Sequence, residues 1–448
     1  MSAPGRCRLR RILPVLLLAG LGGCSDLLPD WLGQSEAPPL PGERISVLSL
    51  EQALEPDPRI ADLEVRLPRP WRNEAWPQAG GYSANVMHHL ELPDSLSQAW
   101  RASIGSGSSG GQRLLAPPIV AEGRVFVLDA ASNAAAFDVG TGRRLWRVGL
   151  VAEKEEAGAL GGGLAFEEGR LFATTAYGQV FALEPETGAQ LWQRRVGVPF
   201  RGPPTVGGGR VFAISFDNQL HVLSAADGQV QWTHSGLPED AGLIGGASPA
   251  YDGGVVVVPY SSGELFALRA DNGRVLWSDQ LVRTARGTQL ADLSDIRGRP
   301  ILDRGRVFAI SHSGRLAAID LRTGERLWER DIAGLETPWV AGDFIYLVTL
   351  DAEVVCLYRR DGRVRWVRTL DRFESPRSKS RPIHWSGPLL AGDRLVLVSS
   401  HGQALSLSPY SGEVIGRMNL PDGAAIAPVV ADGTLFILTD GGRLLALR

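Results

Sequence analysis

Cysteine is scarce. The 448-residue chain has three, Cys7, Cys24 and Cys356. Two fall near the start, which leaves Cys356 by itself in the remainder, excludes a disulfide scaffold and makes a small buried hydrophobe its expected role. An excess of charge is missing too. Forty-six Lys and Arg stand against 49 Asp and Glu, a formal net charge of −3, so no electrostatic footprint for nucleic acid is present. The longest apolar run, within Ile12–Leu21, falls short of the roughly 20 residues a membrane-spanning helix needs. Apolar residues at a 3.6 spacing are absent, which excludes a helical solenoid. No Gly-x-Ser-x-Gly, P-loop or dinucleotide fingerprint occurs in a strand-helix setting. His88-His89 lacks a third ligand at zinc spacing, so neither a metal site, a cofactor nor a catalytic group is expected.

Glycine, by contrast, is abundant, with 54 residues, and one phrase recurs with it. Its clearest copy is Ala136-Phe-Asp-Val-Gly-Thr-Gly-Arg-Arg-Leu-Trp146. It returns at 182–192, 222–232, 267–277, 318–328 and 356–366, and a seventh copy at 406–416 keeps the glycine but not the tryptophan. Each copy reads as a strand, a tight turn and a second strand. The invariant turn glycines, Gly142, Gly188, Gly228, Gly273, Gly324, Gly362 and Gly412, supply the positive φ such hairpins need. Tryptophans at 146, 192, 232, 277, 328 and 366 are spaced by 46, 40, 45, 51 and 38 residues. A period of roughly 40 to 50 with strand signals only indicates four-stranded propeller blades. Apolar residues on both faces of strands such as Val125–Leu128 suit sheets packed between other sheets.

The two ends of the repeat region complete each other. Trp100 precedes Trp146 by one period, in a strand with no repeat before it, while 427–448 holds three strands and no fourth. The expected architecture is therefore an all-β, eight-bladed propeller of antiparallel blades, whose last blade takes its outer strand from the N-terminal side. Trp100, Trp146, Trp192, Trp232, Trp277, Trp328 and Trp366 are expected to wedge between blades as structural devices, each burying roughly 150–250 Å².

The leader has a different composition. Arg6, Arg8, Arg10 and Arg11 precede Ile12–Leu21, and Leu21-Gly-Gly-Cys24-Ser follows, the plan of a secretory signal over 1–23. Small residues ending at a cysteine resemble the bacterial lipobox, which implies acylation of Cys24. Proline-rich sequence follows, including Pro38, Pro39, Pro41, Pro56, Pro58, Pro68 and Pro70, and 24–75 reads as a semi-stiff tether with one short helix near Ser49–Glu55. Trp71, Trp76 and Tyr82 equally suit a tail packed on the propeller, since disordered tails seldom hold aromatics. The basic stretch Arg368, Arg372, Arg377, Lys379 and Arg381 reads as a solvated loop. Asp303, Asp343 and Asp393 read as turn caps.

The repeated Ala-x-Asp-x-x-Thr-Gly-x-x-x-Trp resembles the tryptophan-docking motif of pyrroloquinoline-quinone propellers, carried both by quinoprotein dehydrogenases and by BamB-type lipoproteins. The dehydrogenases use adjacent cysteines, and no Cys-Cys pair occurs here. Over roughly 76–448 the chain resembles the BamB family most. Thr288 to Pro300, with its Leu-Ser-Asp core, is similar to the family segment between the fourth and fifth blades. Ala241 to Pro249 aligns with a second contact loop. The resemblance implies a noncatalytic scaffold of the outer-membrane β-barrel assembly machinery. Lipid-anchored at the periplasmic face of the outer membrane, it would dock on BamA beside other subunits of that complex and near unfolded outer-membrane proteins. It implies contact residues at Ala241, Leu243, Ile244, Asp295 and Arg297, of which Ala241, Ile244 and Arg297 depart from the family's residue types. The runner-up is a quinone-dependent dehydrogenase. A third reading, a polysaccharide binder, draws only on Trp339 and Trp385 as exposed aromatics.

Overall fold

The computed structural model describes residues 54–151, 160–239, 242–282 and 294–448. The expected leader with Cys24, the helix near Ser49 up to Ala53, Ala241 and all of 288–293 lie outside the described residues.

Eight four-stranded antiparallel sheets follow one another. Blade 1 consists of Ile119–Ala121, Arg124–Leu128, Asn133–Asp138 and Arg144–Gly149, paired in that order. Blades 2 to 7 repeat this over 162–195, 205–235, 250–280, 301–330, 339–369 and 385–419. Blade 8 joins Val429–Ala431, Thr434–Leu438 and Arg443–Leu447 to Gln98–Ser103, which pairs antiparallel with the third of them, Ala102 opposite Leu444. The eight-bladed ring closed by an N-terminal strand is therefore as expected. First strands of neighbouring blades touch one another and are almost wholly buried, whereas outer strands are largely exposed, as in Gln190–Arg195. Two-faced apolar strands sit inside because sheets cover both of their faces.

The phrase works through its turn and its indole together. Trp328 Nε1 donates to Arg359 O at 2.9 Å, three residues before Gly362 in the next blade's hairpin. The same offset recurs in Trp100 to Val139, Trp146 to Pro185, Trp192 to Ala225, Trp232 to Ala270, Trp277 to Leu321 and Trp366 to Pro409. The ring then lies on the glycine itself. A Cβ at Gly362 would stand 2.6 Å from the Trp328 indole, and its φ is +69°. Glycine is thus required twice, for the turn and for the approach. Trp100, Trp277, Trp328 and Trp366 are buried; Trp146, Trp192 and Trp232 are half-buried.

A second device has no counterpart in the repeat. The segment Trp71–Leu92 runs round the axis and bonds the inner edge of every blade in turn. Asn73 meets blade 8, donating to Val430 O and accepting from Asp432 N. Trp76 exchanges both backbone bonds with Val120 of blade 1, and Pro77 O accepts from Phe166 of blade 2. The Gln78 side chain exchanges both its bonds with the Val206 backbone of blade 3. Ser83 O and Ala84 O accept from Tyr251 of blade 4 and Leu302 of blade 5. His88 O accepts from the Trp339 indole of blade 6, and Leu90 bonds Leu390 and Gly392 of blade 7. A first strand is paired on one side only; this belt satisfies backbone groups that would otherwise be buried unpaired.

Proline-rich sequence before the belt is packed as well. Asp57 N donates to Val364 O, Arg365 Nε donates to Leu63 O, and Val65 is buried with Ala341 and Phe344. From Leu54 on the chain therefore lies against the propeller, 22 residues before the sequence-based start of the domain at 76. Cys356 is buried and free among the described residues. Burial pushes its thiol well up from the usual range, as expected for an inert hydrophobe.

Candidate partner-docking face

Two loops carry the sequence-derived contact residues, and one carboxylate ties them together. Asp295 Oδ2 accepts from Arg201 Nη2 at 2.6 Å and from the Leu243 backbone N at 3.1 Å. Arg201 Nη2 also donates to Leu243 O. Both ionic side chains are buried, at 3% exposure each. An isolated buried charge is costly, and a paired, hydrogen-bonded one is tolerable. The pair thus fixes the approach to blade 4 against the approach to blade 5. Asp295 sits where a contact residue was expected, but its side chain faces inward and organises the loops.

The exposed groups around this pair are apolar. Ile244 is 53% exposed, and Leu243 is half-buried. Phe216, 47% exposed, lies under the Arg201 guanidinium at 5.6 Å. Leu237, 55% exposed, is held by Asn218, whose Nδ2 donates to Leu237 O while its Oδ1 accepts from Ser261. Buried polar bonds under exposed apolar side chains give a rigid surface suited to a protein partner. The repeat phrase gave no hint of Arg201, Phe216 or Leu237. Phe216 carries the only available signal: a large aromatic at a turn tip where Ala130, Ser261 and Ser400 stand in other blades.

Arg297 turns toward the central channel rather than to this surface. With Arg201, Arg299, Glu336, Trp76 and Trp339 it lines a cavity of about 150 Å³. The belt residues Trp76, Gly80, Asn85 and Met87 close one end of it. Gly245, Gly246 and Arg297 of the blade-connecting loops line it as well. Burial pushes Arg299 down to about 10 and holds the Glu336 carboxyl above the usual carboxylate range.

Other residues singled out in the sequence fall elsewhere. Asp303 is no simple turn cap; it is buried with Arg359, and His88 lies 3.5 Å away. Asp393 does sit in a turn, with φ +55°, and accepts from Tyr410. Trp385 is buried at 5% exposure and Trp339 stacks on Trp76 at 6.3 Å, so the two aromatics that suggested a polysaccharide binder belong to the interior. The basic stretch forms an exposed hairpin, Phe373–Ser375 with Ser380–Pro382. Within and beside it Arg372 and Arg381 pair with Asp351 and Glu374.

Comparison with known proteins identifies this architecture. A family profile described as "Outer membrane protein assembly factor BamB" matches residues 94–159 and 130–368. The BamB of Escherichia coli K12 is 29% identical over 395 residues, covering 78% of this chain and 88% of that protein. The Burkholderia pseudomallei BamB is 29% identical over 363 residues, covering 79% and 88%. The crystal structure of BamB from Moraxella catarrhalis superposes with a TM-score of 0.65 at 20% identity, covering 79% of this chain and all of that one. A europium-containing methanol dehydrogenase superposes equally well, with a TM-score of 0.66 at 14% identity; these two likenesses show the propeller and nothing more. It is the profile match, spanning well over half the sequence, that decides the matter: the chain belongs to the BamB family of outer membrane protein assembly factors.

Proposed function

We propose that this protein is a noncatalytic scaffold of the outer-membrane β-barrel assembly machinery, and that the face carrying Leu243 and Ile244 docks on BamA. The observation that carries the reading is the Arg201–Asp295 pair, which joins the two expected contact loops into one surface. Leu243 and Ile244 supply apolar contact; Asp295 and Arg201 hold them in place. Phe216 and Leu237 extend the surface. The anchor is Cys24, acylated and inserted in the periplasmic face of the outer membrane. About 30 residues separate it from Leu54, a reach of at most about 100 Å.

Capture of BamA from detergent extracts tests this. Ile244→Asp puts a charge on an exposed apolar contact and is expected to abolish capture with no change in melting temperature. Asp295→Ala is expected to weaken capture and also lower the melting temperature, because it strands Arg201 in the interior. Undiminished capture by Ile244→Asp would sink the assignment of this face.

A further inference from the structure

Several hydrogen-bond donors on residues lining the central cavity are without partners among the described residues. Among the described residues Trp76 Nε1, Arg201 Nε and Arg299 Nε are buried and find no acceptor, and all three residues line it. Trp76 and Arg201 are each 3% exposed. Arg201 has Asp295 as counter-ion. Among the described residues the Arg299 guanidinium reaches only the Thr337 hydroxyl, at 3.5 Å. Among the described residues neither Arg297 nor Arg299 has a carboxylate within 4.0 Å, although Glu336 lines the same cavity. The Glu336 carboxylate is turned to blade 7, where Ser386 donates to it at 3.5 Å. Two guanidiniums facing one carboxylate leave a surplus positive charge in a confined space. Buried donors without acceptors are costly, and an anion would relieve both the charge and the donors.

The rest of the lining is apolar. Met87, Leu335, Pro338 and the stacked Trp76–Trp339 pair surround the space. Its volume, about 150 Å³, is benzene-sized.

We propose that the channel binds one small organic anion, a carboxylate on a compact apolar or aromatic body. The carboxylate sits between Arg297 and Arg299, and the body rests against Trp76, Met87 and Trp339. Concave, mostly apolar sites with a few convergent polar groups are the usual form of small-molecule sites, and guanidinium–carboxylate pairing is the strong bond among those available.

Calorimetric titration of the full-length protein with benzoate tests the proposal, with benzamide as the neutral shape-matched probe and inorganic phosphate as the oxyanion without a body. Saturable one-to-one binding of benzoate is expected, at least about tenfold tighter than benzamide. Arg299→Gln is expected to weaken it by about 10- to 100-fold. Arg297→Gln, at a partly exposed side chain, gives the same readout should Arg299→Gln fail to fold. Absence of saturable benzoate binding, binding of phosphate alone, or benzoate affinity unchanged in a folded variant would each overturn the proposal. None of these outcomes bears on BamA capture, so the two readings fail separately.

Discussion

Seven junctions between blades are closed by an indole on a glycine; the junction between blades 7 and 8 is closed without one. At that seam Gly416 takes the tryptophan's place in the ladder, opposite Ser406. The reason lies across the gap. In blade 8 the third and fourth strands come from opposite ends of the sequence, so no tight hairpin joins them. There is no carbonyl three residues before a turn glycine to accept from an indole. What holds the seam is aliphatic packing. Leu389, Val396, Val398 and Leu420 of blade 7 share one cluster with Val429, Leu435, Leu444 and Leu447 of blade 8, and Trp76, Leu90 and Leu92 of the belt join it. The tryptophan is therefore fitted to a hairpin rather than to the ring as such.

The contrast can be broken in a definite order. Removing Arg443–Arg448 takes away the partner of Gln98–Ser103 and opens the seam; loss of cooperative thermal unfolding is expected by circular dichroism. Trp328→Ala, at an indole-closed junction, is expected to cost about 3–5 kcal/mol in denaturant titration. Gly362→Ala at the same junction should also destabilise, since φ is +69° and the indole blocks the Cβ. Gln78→Ala leaves the buried Val206 N–H and C=O without partners, at about 1–3 kcal/mol.

The fifth test concerns pH. Burial holds His221 below its usual pKa, with Asp217 opposing, and His88 and His234 are shifted the same way by burial. The unfolded chain takes up these protons first, near pH 6.5. Stability is thus full above that value and is lost as pH falls through the lowered folded values. His221→Gln is expected to show a smaller drop in melting temperature between pH 7 and 5 than the parent. The smallest effect is expected at the seam itself. A Cβ at Gly416 meets only Ser406, at 3.5 Å, so Gly416→Trp should fit, find no hairpin, and change stability by less than about 0.5 kcal/mol.

How far the sequence discloses all this depends on the kind of interaction. The hairpin phrase shows the blades because turn chemistry is local and repeats. The lone strand at Trp100 shows the closure because its period has no other owner. The belt was hidden: its bonds run mostly through backbone atoms to eight separate strands, and backbone pairing leaves no residue code. Trp71, Trp76 and Tyr82 hinted at packing but not at a circuit. Asp295 was identified by position, yet its burial depends on Arg201, 94 residues away, and no spacing rule connects them. Trp385 was open to either surface or core, because an aromatic outside the phrase gives no sign of which way it faces; it is buried.

The belt bears finally on the order of events during folding. It is translated ahead of the blades it touches, and its contacts extend to Asp432, 360 residues beyond Arg72. Contacts of such separation form late, because a long loop must be ordered first. The middle of the belt meets Val120, Phe166 and Val206 early in the chain, while its ends at Asn73 and Leu90 must wait for blades 8 and 7. Tying off the belt and sealing the ring are therefore one late event.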